Sequence, residues 1–313
     1  MKRICVIGGS RYFGKVLVQR LQAAGHRVTV INRGSAPPPE GAEHLVADRD
    51  DEAALTGALG SRTFDAVVDQ VCYTPVQAAI AARAFSGRTR RYVMTSTIEV
   101  YDPATAALPV LPPGTPVPEG AVDPVGWLVR ADLPWHDAAY LQAHYAEGKR
   151  QAEAVFAQHH GFAFATVRSA HVLGGGAAEF TGRLVHYTER IAHGTPITVH
   201  SAVLPTVFIH YEELAELLLW AATLTDATGP VNACSDGPLD VYGLGRVIVA
   251  QAGRKAVYRS VAAGESASPF SFDRHYAMGN ARAKRLGFSF SRTTDWLPGA
   301  VTEALATTAA PTC

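Results

Sequence analysis

Apolar residues follow two rhythms along the first half of the chain. Short runs rich in β-branched residues predict strands at Arg3–Gly9 (RICVIGG), His26–Asn32 (HRVTVIN), His44–Ala47, Phe64–Val71, Arg91–Thr97 and Phe162–Arg168. Between several of them lie segments with helical spacing. Phe13–Ala24 carries Val16, Leu17 and Leu21 on one face, and Pro75–Phe85 and Gln142–Gln158 are further helices. This alternation predicts an α/β fold, a doubly wound parallel sheet with helices on both faces. Two stretches break the rhythm. Ser35–Gly41 is a short Pro-rich loop after the second strand. Pro103–Pro134 is rich in Pro and Gly and has no period. Loops of that length usually serve a function, and this one is expected to border the active site. Beyond Arg168 the pattern predicts helices at Tyr211–Leu224, Val241–Ala252 and Trp296–Leu305, a strand at Val231–Ser235, and a frayed tail at Thr307–Cys313.

Composition narrows the class. The 313 residues are 48% hydrophobic, enough for one large α/β unit with a smaller lobe. The 28 basic and 28 acidic residues balance, with no block of like charge, which argues against a nucleic-acid partner. Cys5, Cys72, Cys234 and Cys313 are irregularly spaced, so no metal site is expected, and free thiols fit a reducing cytoplasm. The opening apolar run ends at glycines and reads as a strand, not as a signal peptide. No stretch is long and apolar enough to cross a membrane.

The first strand runs into Gly8-Gly9-Ser10-Arg11-Tyr12-Phe13-Gly14 and then into a helix. Glycines at such a turn let the backbone approach a pyrophosphate, and the helix N-terminus supplies free N–H groups with partial positive charge. Gly14 would let the helix pack closely on the strand. The strand–turn–helix context predicts a dinucleotide site, the signature of a Rossmann-type fold. An acidic residue ending the second strand would favour NAD. Here Asn32-Arg33 stands instead, and Arg33, with Arg11, suits a 2′-phosphate, so NADP is favoured over NAD. A solvated loop arginine is the alternative for Arg33. Asp48, ending the third strand, is placed to meet the adenine amino group, with a turn-capping role as its alternative.

Tyr145-Ala-Glu-Gly-Lys149 puts a phenol and an ammonium on one helix face. A lysine cation beside the phenol is expected to lower its pKa and make proton transfer feasible, and Lys149 is also placed to bind the ribose beside the nicotinamide. Thr97 ends an apolar strand. Ligands of doubly wound sheets sit at the carboxyl ends of strands, so Thr97 is expected to face the same crevice. Extended alternation would put Glu99 on the side of Thr97.

With these motifs in order, the chain resembles the extended short-chain dehydrogenase/reductases, the epimerase/dehydratase family. The resemblance runs through Gly8–Gly14, Thr95–Tyr101, Tyr145–Lys149, Val167-Arg168 with Gly174, Phe208–Ala215 and Arg282–Phe288. Within the family, GGSRYFG followed by INRG is most similar to a subgroup that includes chloroplast stem-loop-binding-like proteins. The resemblance implies catalytic roles for Thr97, Tyr145 and Lys149, and dimerisation through the helix bearing Tyr145. It divides the chain into a dinucleotide-binding domain, 1–168 with roughly 203–235, and a smaller C-terminal substrate lobe, 169–202 and 236–313. Thr206 falls at the substrate in that scheme, and His171, following the strand Phe162–Arg168, is placed to line the substrate pocket.

Three positions depart from the family pattern. Arg11 replaces a glycine, Asn32-Arg33 replaces the acidic NAD signature, and Thr206 stands where nucleotide-sugar epimerases often have an arginine. Glu99 matches the base of sugar-nucleotide dehydratases, but Ile98 occupies the position of their preceding Asp. A structural hydrogen bond is the alternative role for Glu99.

The expected activity is therefore that of an NAD(P)-dependent enzyme. It would act on a sugar- or nucleoside-like small molecule as an epimerase, dehydratase or decarboxylase, through transient oxidation of a carbinol. A simple NADPH-dependent ketone reductase is one alternative. An RNA-binding protein with a vestigial Rossmann fold is another, disfavoured by neutral charge and by the intact Tyr145 and Lys149.

Overall fold

A computed structural model describes residues 1–112, 114–262, 264–274 and 276–309. Its strands are β1 Arg3–Ile7, β2 Arg27–Asn32, β3 Glu43–Val46, β4 Ala66–Asp69, β5 Arg91–Thr97, β6 Ala163–Ser169, β7 His171–Leu173, β8 Ile197–His200, β9 Phe208–His210, β10 Gly229–Ala233 and β11 Tyr258–Val261. Its α-helices are α1 Tyr12–Ala23, α2 Glu52–Leu59, α3 Pro75–Phe85, α4 Ala138–Ala143, α5 Tyr145–Ala157, α6 Arg183–His193, α7 Tyr211–Thr223, α8 Val241–Ala252, α9 Ala281–Arg285 and α10 Thr293–Ala309. Among the described residues no helix is long and apolar enough to cross a membrane.

Seven strands form one parallel sheet in the order β10-β6-β5-β4-β1-β2-β3. The chain winds outward in both directions from β1 and β4, which leaves a crevice at their carboxyl ends. Both faces are covered because side chains alternate along each strand. Ile4 and Val6 of β1 pack with Leu17 and Leu21 of α1 and Leu214 and Leu218 of α7. Cys5 and Ile7 face the other way, into Leu55 of α2, Phe85 of α3 and Phe156 of α5. A third core joins α6, α8 and α10 through Leu184, Ile191, Leu244, Ile248, Leu297 and Val301.

The Rossmann-type sheet matches the sequence expectation, and the differences have local causes. The helix expected over Gln142–Gln158 is two helices, broken at His144, whose φ and ψ of −117° and 26° leave the helical region. Helix α6 was not singled out because its sequence, RLVHYTERIAH, is mostly polar; Leu184, Tyr187, Thr188 and Ile191 are its buried positions. Strands β7, β8, β9 and β11 are too short for alternation to show. Of the expected frayed tail, Thr307–Ala309 continue α10, and residues 310–313 lie outside the described residues.

The long Pro-rich loop is pinned from beneath. Arg168 of β6 pairs with Glu153 of α5, both side chains 0% exposed. The same guanidinium donates to the Glu119 and Val122 carbonyls and to the Tyr101 hydroxyl. The Glu119 carboxylate accepts from the Asn232 N–H of β10. A stretch without periodicity is thereby fixed against the sheet edge by buried polar contacts.

Candidate active site

The loop after β1 needs its glycines. Gly8 and Gly9 have φ of 97° and 82°, a region that side chains rarely adopt. A Cβ on Gly14 would overlap Gln70 Oε1 and lie 2.9 Å from the Gly9 Cα, so α1 can approach β1 and β4 only without one. This loop lines a cleft of about 480 Å³ with Asn32, Arg33, Asp48, Arg49, Tyr73 and Phe180. The cradle a Cβ would fill, at the N-terminus of a twelve-residue helix, fits a dinucleotide pyrophosphate.

The residues around the cleft divide by how fully they are engaged. Asn32 is spent internally. Its Nδ2 donates to Ser10 Oγ and the Ala36 carbonyl, and its Oδ1 accepts from the Gly34 N–H and faces His44 Nε2 at 2.9 Å. It shapes the loop and has little capacity left for a ligand. Asp48 caps its turn, accepting from the Asp50 N–H at 3.0 Å, and remains exposed at the cleft. Arg11 and Arg33 are exposed there as well, and neither is in an ion pair among the described residues. Tyr12 lines the cleft beside Phe180 and is buried. Its hydroxyl donates to the Gly174 carbonyl at 3.0 Å, and its ring stacks on Tyr211, tying the loop to the C-terminal half. Phe13 is half-buried and packs against the first core.

The second constellation lies at the carboxyl end of β5, where the structure brings Thr97, Glu99, Tyr145 and Lys149 together. Lys149 is 2% exposed, and its ammonium donates to the Thr95 carbonyl at 2.9 Å. It also faces the rings of Tyr73 at 4.6 Å and Tyr145 at 5.9 Å. Burial draws its pKa down to about 8.

The Tyr145 phenol is raised well above its ordinary value, by burial, by Tyr73 and by the Glu99 carboxylate, against a hydrogen bond with Thr97 and the more distant Arg183 that pull it down. This corrects the expectation that Lys149 would lower it. The ammonium is directed at the Thr95 carbonyl and the Tyr73 ring, and desolvation of the phenol outweighs its influence.

Glu99 sits in a 3₁₀ turn, Ile98–Tyr101, where its own N–H donates to the Thr97 hydroxyl at 3.3 Å. Its carboxylate accepts a hydrogen bond from Tyr276. Arg150, 0% exposed, donates to the Val100 carbonyl and the Thr105 hydroxyl and fixes the turn.

His171 is buried among Phe208, Phe270, Phe272 and Tyr276, with Nδ1 3.5 Å from Arg183 Nη1. Burial and Arg183 push its pKa down to about 3, so it is neutral and not a general acid at ordinary pH. Thr206 is a correction too. It is 0% exposed and its hydroxyl donates to the Tyr276 carbonyl at 2.6 Å, so it has no free group to offer a substrate. Tyr73, Arg183 and Tyr276 carry no periodic signal in the sequence, because they sit in a loop, at the start of a helix and at an isolated β-bridge to Thr206.

Residues 4–85, the part containing the glycine loop and β1 to α3, match the model of the NAD dependent epimerase/dehydratase family. Over that stretch the chain is similar to the NAD-dependent epimerase/dehydratase family. The matched stretch contains the phosphate loop, while Thr97, Tyr145 and Lys149 lie beyond it. The chain is also 35% identical over 124 residues to a 2′-dehydrokanamycin reductase of Streptomyces kanamyceticus, covering 39% of this chain and 33% of that protein. The match thus spans about a third of the curated relative's length.

Among solved structures, the fold is shared with the Bordetella bronchiseptica enzyme WbmH in complex with NAD+, at a TM-score of 0.71 and 18% identity over 98% of both chains. It is shared with the UDP-N-acetylglucosamine 4-epimerase of Bacillus cereus, at 0.69 and 19% identity over 98% of this chain and 100% of the other. At those identities the likeness shows the fold alone.

Proposed function

We propose that this chain binds NADP(H) in the glycine-loop cleft and interconverts a carbinol and a ketone on a sugar- or nucleoside-like substrate, as an epimerase, dehydratase or decarboxylase acting through transient oxidation. In this reading residues 1–168 with 203–235 hold the cofactor, and 169–202 with 236–313 form the substrate side. The observation that carries it is the grouping of Thr97, Tyr145 and Lys149 with a carboxylate, Glu99, close enough to raise the Tyr145 phenol. The nicotinamide, when bound, supplies the hydride acceptor and donor. Tyr145 gives or takes the hydroxyl proton, Thr97 orients the oxygen, and Lys149 holds the ribose. Glu99 accepts a second proton from the carbon beside the transient ketone.

Glu99→Gln should then spare cofactor reduction by substrate and block product formation. Stopped-flow absorbance at the nicotinamide band, read beside product analysis, separates the two steps. A variant that forms product at the normal rate makes Glu99 structural, as its bond with Tyr276 would allow.

A second reading, net reduction of a ketone by NADPH, is favoured by the exposed Arg11 and Arg33 and by the name of the partial relative, a 2′-dehydrokanamycin reductase. Cofactor that survives dialysis of the purified protein supports internal cycling. Stoichiometric consumption of added NADPH supports reduction.

Both readings share the cofactor preference. Arg33→Ala should weaken NADP binding about tenfold, the low end for a charged hydrogen bond at an exposed site, and leave NAD nearly unchanged. Calorimetric titration checks this, and equal affinity of the unmodified protein for both cofactors defeats it.

A further inference from the structure

The Lys149 ammonium has an unusual set of neighbours for a buried cation. Buried charges are ordinarily paired with an opposite charge. Here the carboxylates that face it are engaged elsewhere. Asp69, at the end of β4, accepts from Arg49 at 2.6 Å and from the Tyr92 hydroxyl at 2.6 Å. Glu153, one turn on along α5, is held by Arg168. The Cys72 thiol is itself pushed up to about 12 by burial and is uncharged. Arg49 adds repulsion. What touches the ammonium is the Thr95 carbonyl and the faces of two phenol rings, with Tyr73 the nearer at 4.6 Å.

Tyr73 is held for this position from two sides. Its N–H donates to Gln77 Oε1 of α3 at 2.7 Å. Its carbonyl lies where a Cβ on residue 148 of α5 would have to be, so Gly148 lets the helix close on it. Tyr73 also lines the cofactor cleft.

We propose that Tyr73 is a positioning residue for Lys149: its ring face substitutes for a counter-ion, keeping the ammonium charged and aimed along the end of β5 at the cofactor side. The ring attracts the cation through its quadrupole, and the attraction is strongest where water is excluded. A carboxylate in the same place would hold the ammonium in a tight ion pair; an aromatic face leaves its remaining N–H donors free. The proposal rests on the assignment of Lys149 to the cofactor ribose, and its test reads the lysine itself, without substrate or cofactor.

The chain has five lysines, so a spectrum labelled with ¹³C at lysine Cε is sparse, and Lys149→Met identifies the missing resonance. In the unmodified protein that resonance should titrate near 8, where burial has drawn it. Tyr73→Phe keeps the ring and should leave the midpoint in place. Tyr73→Leu removes the ring and keeps the site apolar, so the midpoint should fall by about 0.5–1.5 units. If the leucine variant does not fold, Tyr73→Met makes the same comparison. A midpoint unmoved in the leucine or methionine variant overturns the proposal, as does one rising towards that of a solvated lysine, which would mean that the ring merely excludes water. Fluorescence titration with NADPH separates the two layers. If the midpoint falls as expected and Lys149→Met still binds NADPH normally, Tyr73 keeps its role and the ribose assignment of Lys149 is the part that fails.

Discussion

Replacing Tyr145 by Phe is expected to cut turnover by at least about 100-fold while the fold and cofactor binding survive. The substitution removes one oxygen and keeps the ring that packs 6.2 Å from Tyr73, so the first turn of α5 should hold. In the proposed mechanism the chemistry depends on that oxygen, because moving a hydride to or from a carbinol carbon requires moving the hydroxyl proton as well. Tyr145 is the phenol that meets Thr97 at the end of β5. Burial, Tyr73 and Glu99 hold its pKa high, so the phenol is protonated in the protein without ligand. That state suits the returning half of the proposed cycle, proton donation to the transient ketone, and the opening oxidation requires the phenol to have lost its proton.

Lys149 contributes differently. Its pKa of about 8 means that the ammonium predominates below that pH and is lost above it. Cofactor affinity in the unmodified protein should therefore decline as pH rises past 8, and Lys149→Met should bind weakly at every pH. Turnover beside a binding titration is the measurement. A Tyr145→Phe protein with near-normal turnover would move the active site elsewhere.

The largest effect on stability is expected from Glu153→Ala. Glu153 and Arg168 form a two-pronged pair, with Arg168 Nη2 2.6 Å from Oε2 and Nε 3.1 Å from both oxygens. Burial alone would draw the guanidinium pKa down, and Glu153 beside it reverses the shift. Removing the carboxylate leaves a wholly buried cation short of its partner, at a cost of about 3–5 kcal/mol. That is a large share of the roughly 5–15 kcal/mol that a native protein has. The loop carrying Glu119 and Val122 should loosen with it, since Arg168 holds both carbonyls.

Urea midpoints give the reading, and the double variant Glu153→Ala with Arg168→Met supplies the control. Removing both charges should recover much of the loss, because what destabilises is the unpaired charge and not the missing attraction. A double variant no more stable than Glu153→Ala would show that packing dominates. Glu52→Ala breaks a solvent-exposed pair with Arg83 and should hardly move the midpoint.

Local chemistry made most of the cofactor half legible in the sequence. Strand β5 and helices α3 and α8 have the bounds expected of them, because long apolar or amphipathic runs are set by burial of one face. The glycine loop was readable for a related reason: positive φ and close backbone approach can be met by few residue types, so the requirement is written in the residues themselves. Tyr145 and Lys149 were readable because four residues make one helical turn.

What the tertiary structure decided is the state of those groups. No spacing in the sequence shows that Lys149 meets an aromatic face instead of the Tyr145 oxygen, or that burial raises the phenol that the lysine was expected to lower. Nor does it show that Asn32 is consumed by Ser10, Gly34 and Ala36, or that Thr206 is sealed beneath Tyr276. Thr206 and Tyr276 are 70 residues apart in the chain, Lys149 and Tyr73 further still, and desolvation depends on everything packed around a group. Periodicity and spacing constrain neighbours along one element. Charge, protonation and free hydrogen-bonding capacity are set by neighbours in space, and these exist only once the sheet has brought the ends of its strands together.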